Sequence, residues 1–228
     1  MMAESFRVVM TSMLISGQNG QGWRTLVCTS PNAAEGKTTV AANLAVALGR
    51  IGKRVVLIDA DLSQPALHHT FAIDNDHGLT GLLRDDRLTS EAIRDAIRHT
   101  RFGVSVLSAG PHVPDAANLL FAGNMGELLA KLKDDFDIVL IDTPPTPQMP
   151  HARVLGSLAD GVILVVRAGR TTRAAVSATL QRFAADQIPV LGTILNDWNP
   201  HRSPSDYYYN QARRTAAESH APSPALWT

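Results

Sequence analysis

The stretch TSPNAAEGKTT, Thr29 to Thr39, decides how this chain is read. Before it lies RTLVCTS, Arg24 to Ser30, a short apolar run bounded by Gly22 and Pro31 that reads as a buried strand. After it comes a helix from Lys37 to about Ile51, with Val40, Leu44, Leu48 and Ile51 on one face and Gly52 as a stop. A loop joining a strand to a helix can gather backbone N–H groups around anionic oxygens at the helix N-terminus. A phosphate cradle of this kind also needs a lysine for the β and γ phosphates and a hydroxyl just after it for magnesium. Gly36, Lys37 and Thr38 are that set, and Ala34, Glu35 and Thr39 flank it as further candidate nucleotide contacts. The strict motif also asks for glycine where Pro31 stands. A chance Gly-Lys-Thr at a helix start is the competing reading, and the strand before and helix after it count against that.

Two more stretches end in carboxylates. In VVLIDADLSQP, Val55 to Pro65, Asp59 and Asp61 stand at the carboxyl end of an apolar run. Alternate residues of an extended chain point the same way, so both can face a nucleotide. One can hold magnesium through water while the other orients a nucleophile; a solvated strand end explains either aspartate taken alone. In IVLIDTPP, Ile138 to Pro145, Asp142 ends an apolar strand, as a magnesium-ordering carboxylate does in P-loop enzymes. Lys37, Asp59, Asp61 and Asp142 are thus the candidate catalytic residues, and Thr38, Asp59 and Asp142 the candidate magnesium residues. ATP and Mg2+ are the implied ligands.

The remaining chain fits one α/β domain. Val104 to Ser108, Val162 to Val166 and Val190 to Leu195 read as further strands. Helices are expected over Ala3–Ser16, Gly81–Arg84, Ser90–Ile97, Asp115–Leu132 and Thr172–Ala185. Strands apolar throughout, alternating with helices, predict a mostly parallel sheet flanked by helices on both faces, with its site beyond the carboxyl ends of the strands. The 228 residues, 45% of them apolar, suffice for one such domain over 1–198. From 199 to 228 the apolar period stops and a mobile tail is expected. Within it lie Tyr207, Tyr208 and Tyr209, every tyrosine of the chain, as candidate phosphoryl acceptors or as a segment that docks on a partner.

Charge and cysteine usage narrow the setting. Lysines and arginines number 21, as do the acidic residues, so nothing in the balance calls for nucleic acid or an anionic membrane as main partner. Cys28 is the single cysteine, which excludes an internal disulfide and fits a reducing cytoplasm. No apolar run reaches the ~18 residues of a bilayer span. Histidines are scattered and no zinc-ligand spacing occurs.

Taken together, AAEGKTT, LIDADL, LIDTPP, VVRAGRTT (Val165–Thr172) and the tyrosine run resemble the cytoplasmic kinase domain of the bacterial tyrosine kinases of capsule and exopolysaccharide synthesis, from about Ala3 to Tyr209. The resemblance implies a P-loop fold of the Min/Par branch and a protein-tyrosine autokinase. Asp59 and Asp61 would then act with Lys37, Thr38 and Asp142 in γ-phosphoryl transfer, with Asp59 taking the tyrosyl proton. Tyr207 to Tyr209 would accept the phosphate, typically in a neighbouring subunit of a homo-oligomer. It also implies a membrane partner that governs polysaccharide chain length and holds the domain at the inner face of the cell membrane. Asn196, after the last strand, would contact adenine as its equivalent does in related ATPases; a turn-initiating Asn is the alternative.

The chain departs from the family pattern at Ala33 and Ala34, where Pro-Gly is usual, at Ser63 in place of Arg, and at Met10 in place of the third residue of Glu-x-x-Arg-x-x-Arg (Glu4, Arg7). If the second loop position has φ > 0, Ala34 costs roughly 1 kcal/mol more than Gly. Two other readings follow: a Min/Par-like ATPase switch, disfavoured by Asn32 where that group carries lysine, and a catalytically weakened nucleotide-binding regulator.

Overall fold

A computed structural model describes residues 6, 8–12, 22–85, 87–113, 116–121, 124–146 and 150–199. In chain order its strands are β1 (Thr25–Thr29), β2 (Val55–Asp59), β3 (Ile97–His99), β4 (Ser105–Leu107), β5 (Ile138–Asp142), β6 (Gly161–Arg167) and β7 (Val190–Asn196). A helix α1 is helical at residues 6 and 8–12. It is followed by α2 (Lys37–Arg50), α3 (Leu67–Phe71), α4 (Leu79–Arg84), α5 (Ser90–Ala96), α6 (Ala116–Leu119), α7 (Asn124–Asp135), α8 (His151–Leu158) and α9 (Arg173–Ala185).

Every residue of β1, β2 and β5 is buried, so these strands must be covered on both faces. They lie at the centre of a sheet ordered β3-β4-β2-β5-β1-β6-β7, parallel except for β3. Side chains alternate across the pleat. Leu26, Leu57 and Leu140 point to one face, where Leu44 and Leu48 of α2, Leu67 of α3 and Met10 of α1 cover them. Val27, Ile58 and Ile141 point to the other, against Leu82 of α4, Ile93 of α5, Leu128 and Leu132 of α7, Leu155 of α8 and Phe183 of α9. Parallel pairing brings the carboxyl ends of β1, β2, β5, β6 and β7 to the same side, and the three motifs end there.

The expected helix over Ser90–Ile97 stops at Ala96, because Ile97 opens an edge strand antiparallel to β4 and pairs with Leu107. The short elements α3, α8 and β3 have no counterpart among the expected elements. Side-chain contacts set two of them: the Asp59 carboxylate at the end of β2 accepts from the N–H groups that begin α3, seven and eight positions on, and α8 packs Gly156 so closely that a Cβ there would stand 3.0 Å from Ile188. The predicted tail beyond Asn199, the tyrosine run Tyr207–Tyr209, and Glu4 and Arg7 lie outside the described residues. Among the described residues no helix is long and apolar enough to cross a membrane.

Leu140 sits in the central strand β5 with no exposed surface, whereas Leu195 is 54% exposed. Leu140→Ala is expected to lower unfolding free energy by about 2–5 kcal/mol, and Leu195→Ala by no more than about 0.5 kcal/mol, both read from urea denaturation midpoints.

Candidate active site

Two consecutive turns of backbone build the phosphate loop. Gly36 caps α2 in the left-handed region, at φ 87°. A Cβ there would lie 2.2 Å from the Asn196 side-chain nitrogen, so only glycine fits. Ala34 is left-handed as well, at φ 59°. The loop position that the family fills with glycine therefore does need φ > 0, and the alanine carries that strain.

Distant residues hold the loop in this shape. Glu35 is buried. Its carboxylate accepts from the Asn32 backbone N–H (3.1 Å) and side-chain amide (2.9 Å) and from the Thr171 hydroxyl (2.5 Å). The Asn196 amide donates to the Glu35 carbonyl at 2.9 Å, and the Arg167 guanidinium to the Ala34 carbonyl at 3.2 Å. Arg167 also pairs with Asp197 at 2.8 Å. The segment VVRAGRTT thus acquires a physical role: it clamps the loop from the end of β6. Asn32, where the Min/Par group carries lysine, is occupied in holding Glu35.

Behind the loop, β2 and β5 run in register with Asp59 opposite Asp142. Both aspartates are buried. The Thr38 hydroxyl donates to Asp142 Oδ2 at 2.6 Å, which brings the predicted magnesium residues together. Asp142 Oδ1 is buried and has no hydrogen-bond partner among the described residues. Burial pushes the Asp142 carboxyl up to about 7, opposed by the Thr38 bond and reinforced by Asp59, with smaller effects from Lys37 (lowering) and Asp61 (raising). Burial also pushes Asp59 up to about 6, against the lowering effect of the Leu67 and Ala66 N–H groups. Those two groups donate to Asp59 Oδ2 at 2.9 and 3.0 Å, while Oδ1 keeps only a 3.3 Å contact with the Asp61 N–H. Asp61 is half-buried, and its Oδ1 accepts from the Gln64 N–H at 3.1 Å. Cys28 faces this cluster from β1; burial, then Asp142, pushes its thiol up and keeps it inert.

This donor set fits a magnesium ion. Magnesium takes oxygen ligands, few of them from protein, and keeps waters and substrate phosphates for the rest. A hydroxyl, an unpartnered carboxylate oxygen and a second carboxylate meet that description. No cluster of three His, Cys, Asp or Glu suited to a metal occurs among the described residues.

Of the predicted contacts, Ala34, Glu35, Gly36, Lys37 and Thr38 gather with Asp59 and Asp142, and Thr39 lies exposed on the first turn of α2. Asn196 reaches the same place, with its amide holding the loop. Sequence reasoning missed the structural roles of Arg167, Thr171 and Asn32, although the first two lie in VVRAGRTT and the third in the loop motif itself. It also missed His151, a buried imidazole at the start of α8 that burial holds below its ordinary value while Asp61 acts to raise it.

The chain is similar in sequence and fold to known proteins. A family model described as an AAA domain matches residues 32–185. The tyrosine-protein kinase YwqD of Bacillus subtilis (strain 168) is 34% identical over 194 residues, 85% of this chain and 80% of that protein. The solved kinase domain of Escherichia coli tyrosine kinase ETK superposes with a TM-score of 0.81 at 29% identity, covering 88% of this chain and 77% of that one. Cobyrinic acid a,c-diamide synthase from Mycobacterium smegmatis, solved with a bound ATP analog and magnesium, reaches a TM-score of 0.68 at 26% identity, covering 84% and 82%.

Two outcomes are expected. Gly36→Ala forces a positive-φ alanine, costing about 1–2 kcal/mol, and displaces Asn196, so nucleotide binding measured by calorimetry should be lost. Adding Asn196→Ala relieves the clash but not the φ strain, and should recover part of the thermal stability only. The second outcome concerns pH. Asp59 and Asp142 titrate near 6 and 7 when folded, against about 3.9 unfolded. Between those values the folded protein binds more protons, so these groups make stability fall as pH rises from about 4 to about 7. Asp142→Asn should flatten the upper part of that slope in metal-free protein. At pH 8 it should raise the thermal midpoint by about 2–4 °C per kcal/mol of burial cost relieved.

Proposed function

This chain belongs to the bacterial tyrosine-protein kinases, built on an AAA domain, and on that premise we propose that it transfers the γ-phosphoryl group of ATP to Tyr207, Tyr208 and Tyr209. The observation that carries the reading is the convergence of Lys37, Thr38, Asp59 and Asp142 behind a loop whose turn only glycine completes.

Each residue has a part in the chemistry. Backbone N–H groups from Gly36 to Thr39 and the positive end of α2 cradle the phosphates. Lys37, placed to act electrostatically on Asp142, stabilises negative charge on the transferring group. Thr38 and Asp142 would hold magnesium, with Asp59 acting through water. The ion, when bound, neutralises charge on the β and γ phosphates. The tyrosyl oxygen forms a bond to the γ phosphorus, the bond from that phosphorus to the β–γ bridging oxygen breaks, and ADP leaves with the electron pair. Asp59 takes the phenol proton through Oδ1, the oxygen that its bonds to the Ala66 and Leu67 N–H groups leave available. Asp61, two residues on and half-buried, orients the hydroxyl. The setting we propose is the cytoplasm, at the inner face of the membrane, beside a membrane protein that controls polysaccharide chain length, with phosphorylation between copies of a homo-oligomer.

Ala34 at φ 59° favours a second reading, in which nucleotide binding persists and turnover is low. Mass-spectrometric mapping after incubation with ATP and magnesium, with and without the membrane partner, separates the two. Phosphate is expected on Tyr207–Tyr209 and absent in Lys37→Met. Asp59→Asn should lower kcat by about 10²–10⁴-fold. Nucleotide binding without phosphotyrosine, even with the partner present, would establish the regulator instead.

A further inference from the structure

Beside the edge strand β7 lies a groove of about 380 Å³ that the phosphoryl-transfer site does not use. Its apolar wall is formed by Val166, Val176, Leu180 and Leu195, and its cationic rim by Arg167 and Arg173. Leu195 and Asn196 are consecutive in β7, so their side chains point to opposite faces of the sheet. Asn196 reaches the phosphate loop; Leu195 lines the groove. The groove therefore lies across the sheet from α2 and the nucleotide.

Charge and chain path indicate an occupant. Arg167 is neutralised by Asp197. Arg173 and its neighbour Arg170, both exposed, form no ion pair among the described residues. The polypeptide leaves the described structure at Asn199, two residues beyond the aspartate that pairs with the groove's own Arg167. Trp198, one residue before that exit, is 60% exposed. Tyr207 lies eight positions beyond Asn199, a reach of about 26 Å. The stretch from Ser203 to Asn210, SPSDYYYN, has one charged side chain, Asp206. Three phosphates would add about −4.5 to −6, matching unpaired arginines beside apolar walls that accept aromatic rings.

We infer that this groove docks the phosphorylated form of the chain's own segment 203–210, an inference that rests on the tyrosines being the phosphoryl acceptors. The rings lie against Leu180 and Leu195, and the phosphates meet Arg170 and Arg173. Arg167 touches both the groove and the Ala34 carbonyl, so the docked product adjoins the clamp on the phosphate loop.

The test is a fluorescence-anisotropy titration of synthetic SPSDYYYN, phosphorylated on all three tyrosines or on none. It uses the full chain with Tyr207, Tyr208 and Tyr209 replaced by Phe, in saturating ADP and magnesium. The phosphopeptide is expected to bind at least tenfold more tightly than the plain peptide. Arg170→Gln with Arg173→Gln should cost at least tenfold, as should Leu180→Asp or phosphoserine in place of each phosphotyrosine. Equal affinity for both peptides, indifference to the arginine changes, or binding only without ADP would overturn the inference. Because the phosphates are placed by synthesis, an inactive kinase would still pass this test, and an active one could fail it.

Discussion

The hydrogen-bond ladder between β2 and β5 sets Asp59 directly opposite Asp142 at the carboxyl ends of two wholly buried strands. Both carboxyls are held well above the ordinary value, chiefly because burial takes them from water; Asp59 adds to the effect at Asp142, and Asp61 to that at Asp59. Neighbouring elements take their places around that constraint. The N–H groups that begin α3 turn towards Asp59, and the Thr38 hydroxyl at the start of α2 turns towards Asp142. These donors compensate only part of the burial, since one oxygen of Asp142 remains without a partner among the described residues. A site left short of positive charge in this way suits a divalent cation.

The phosphate loop in front of those carboxylates is not self-supporting. Ala34 and Gly36 both adopt positive φ, a shape that a free loop abandons readily. Glu35 between them works inward as a tether, tied to Asn32 within the loop and to Thr171 across the sheet. Asn196 and Arg167 fasten the carbonyls on either side of the loop's crest. Strands β6 and β7 thus serve as the anvil for a loop that belongs to β1. Through Arg167 the clamp extends to Asp197 and to the groove beside α9. A change at that edge of the sheet has a short, bonded path to the phosphate loop.

The same split between local pattern and distant contact governs how much could be read in advance. The strand–loop–helix unit around Gly36, the strand-end positions of Asp59 and Asp142 and the alternation of apolar strands with helices all follow from local properties. Periodicity, turn residues and spacing are visible in a short window. The short elements were not, because α3 exists where Asp59 caps it and β3 where Leu107 gives Ile97 a partner. Asn196 was singled out for its place after the last strand, but its bond to the Glu35 carbonyl spans 161 positions. Thr171 lay in a recognised motif with no role attached, since its acceptor stands 136 positions away.

By itself, then, the amino-acid order determined a phosphate loop, a mostly parallel α/β sheet and the carboxylates available to it. Each depends on side-chain size, polarity and backbone preference over a few residues. Only the tertiary structure decided the strand order, the register that pairs Asp59 with Asp142, and the clamp that lets Ala34 and Gly36 hold left-handed turns. Those are contacts between segments far apart in the chain. Their geometry emerges when the two faces of the sheet are covered together, and no local window contains it.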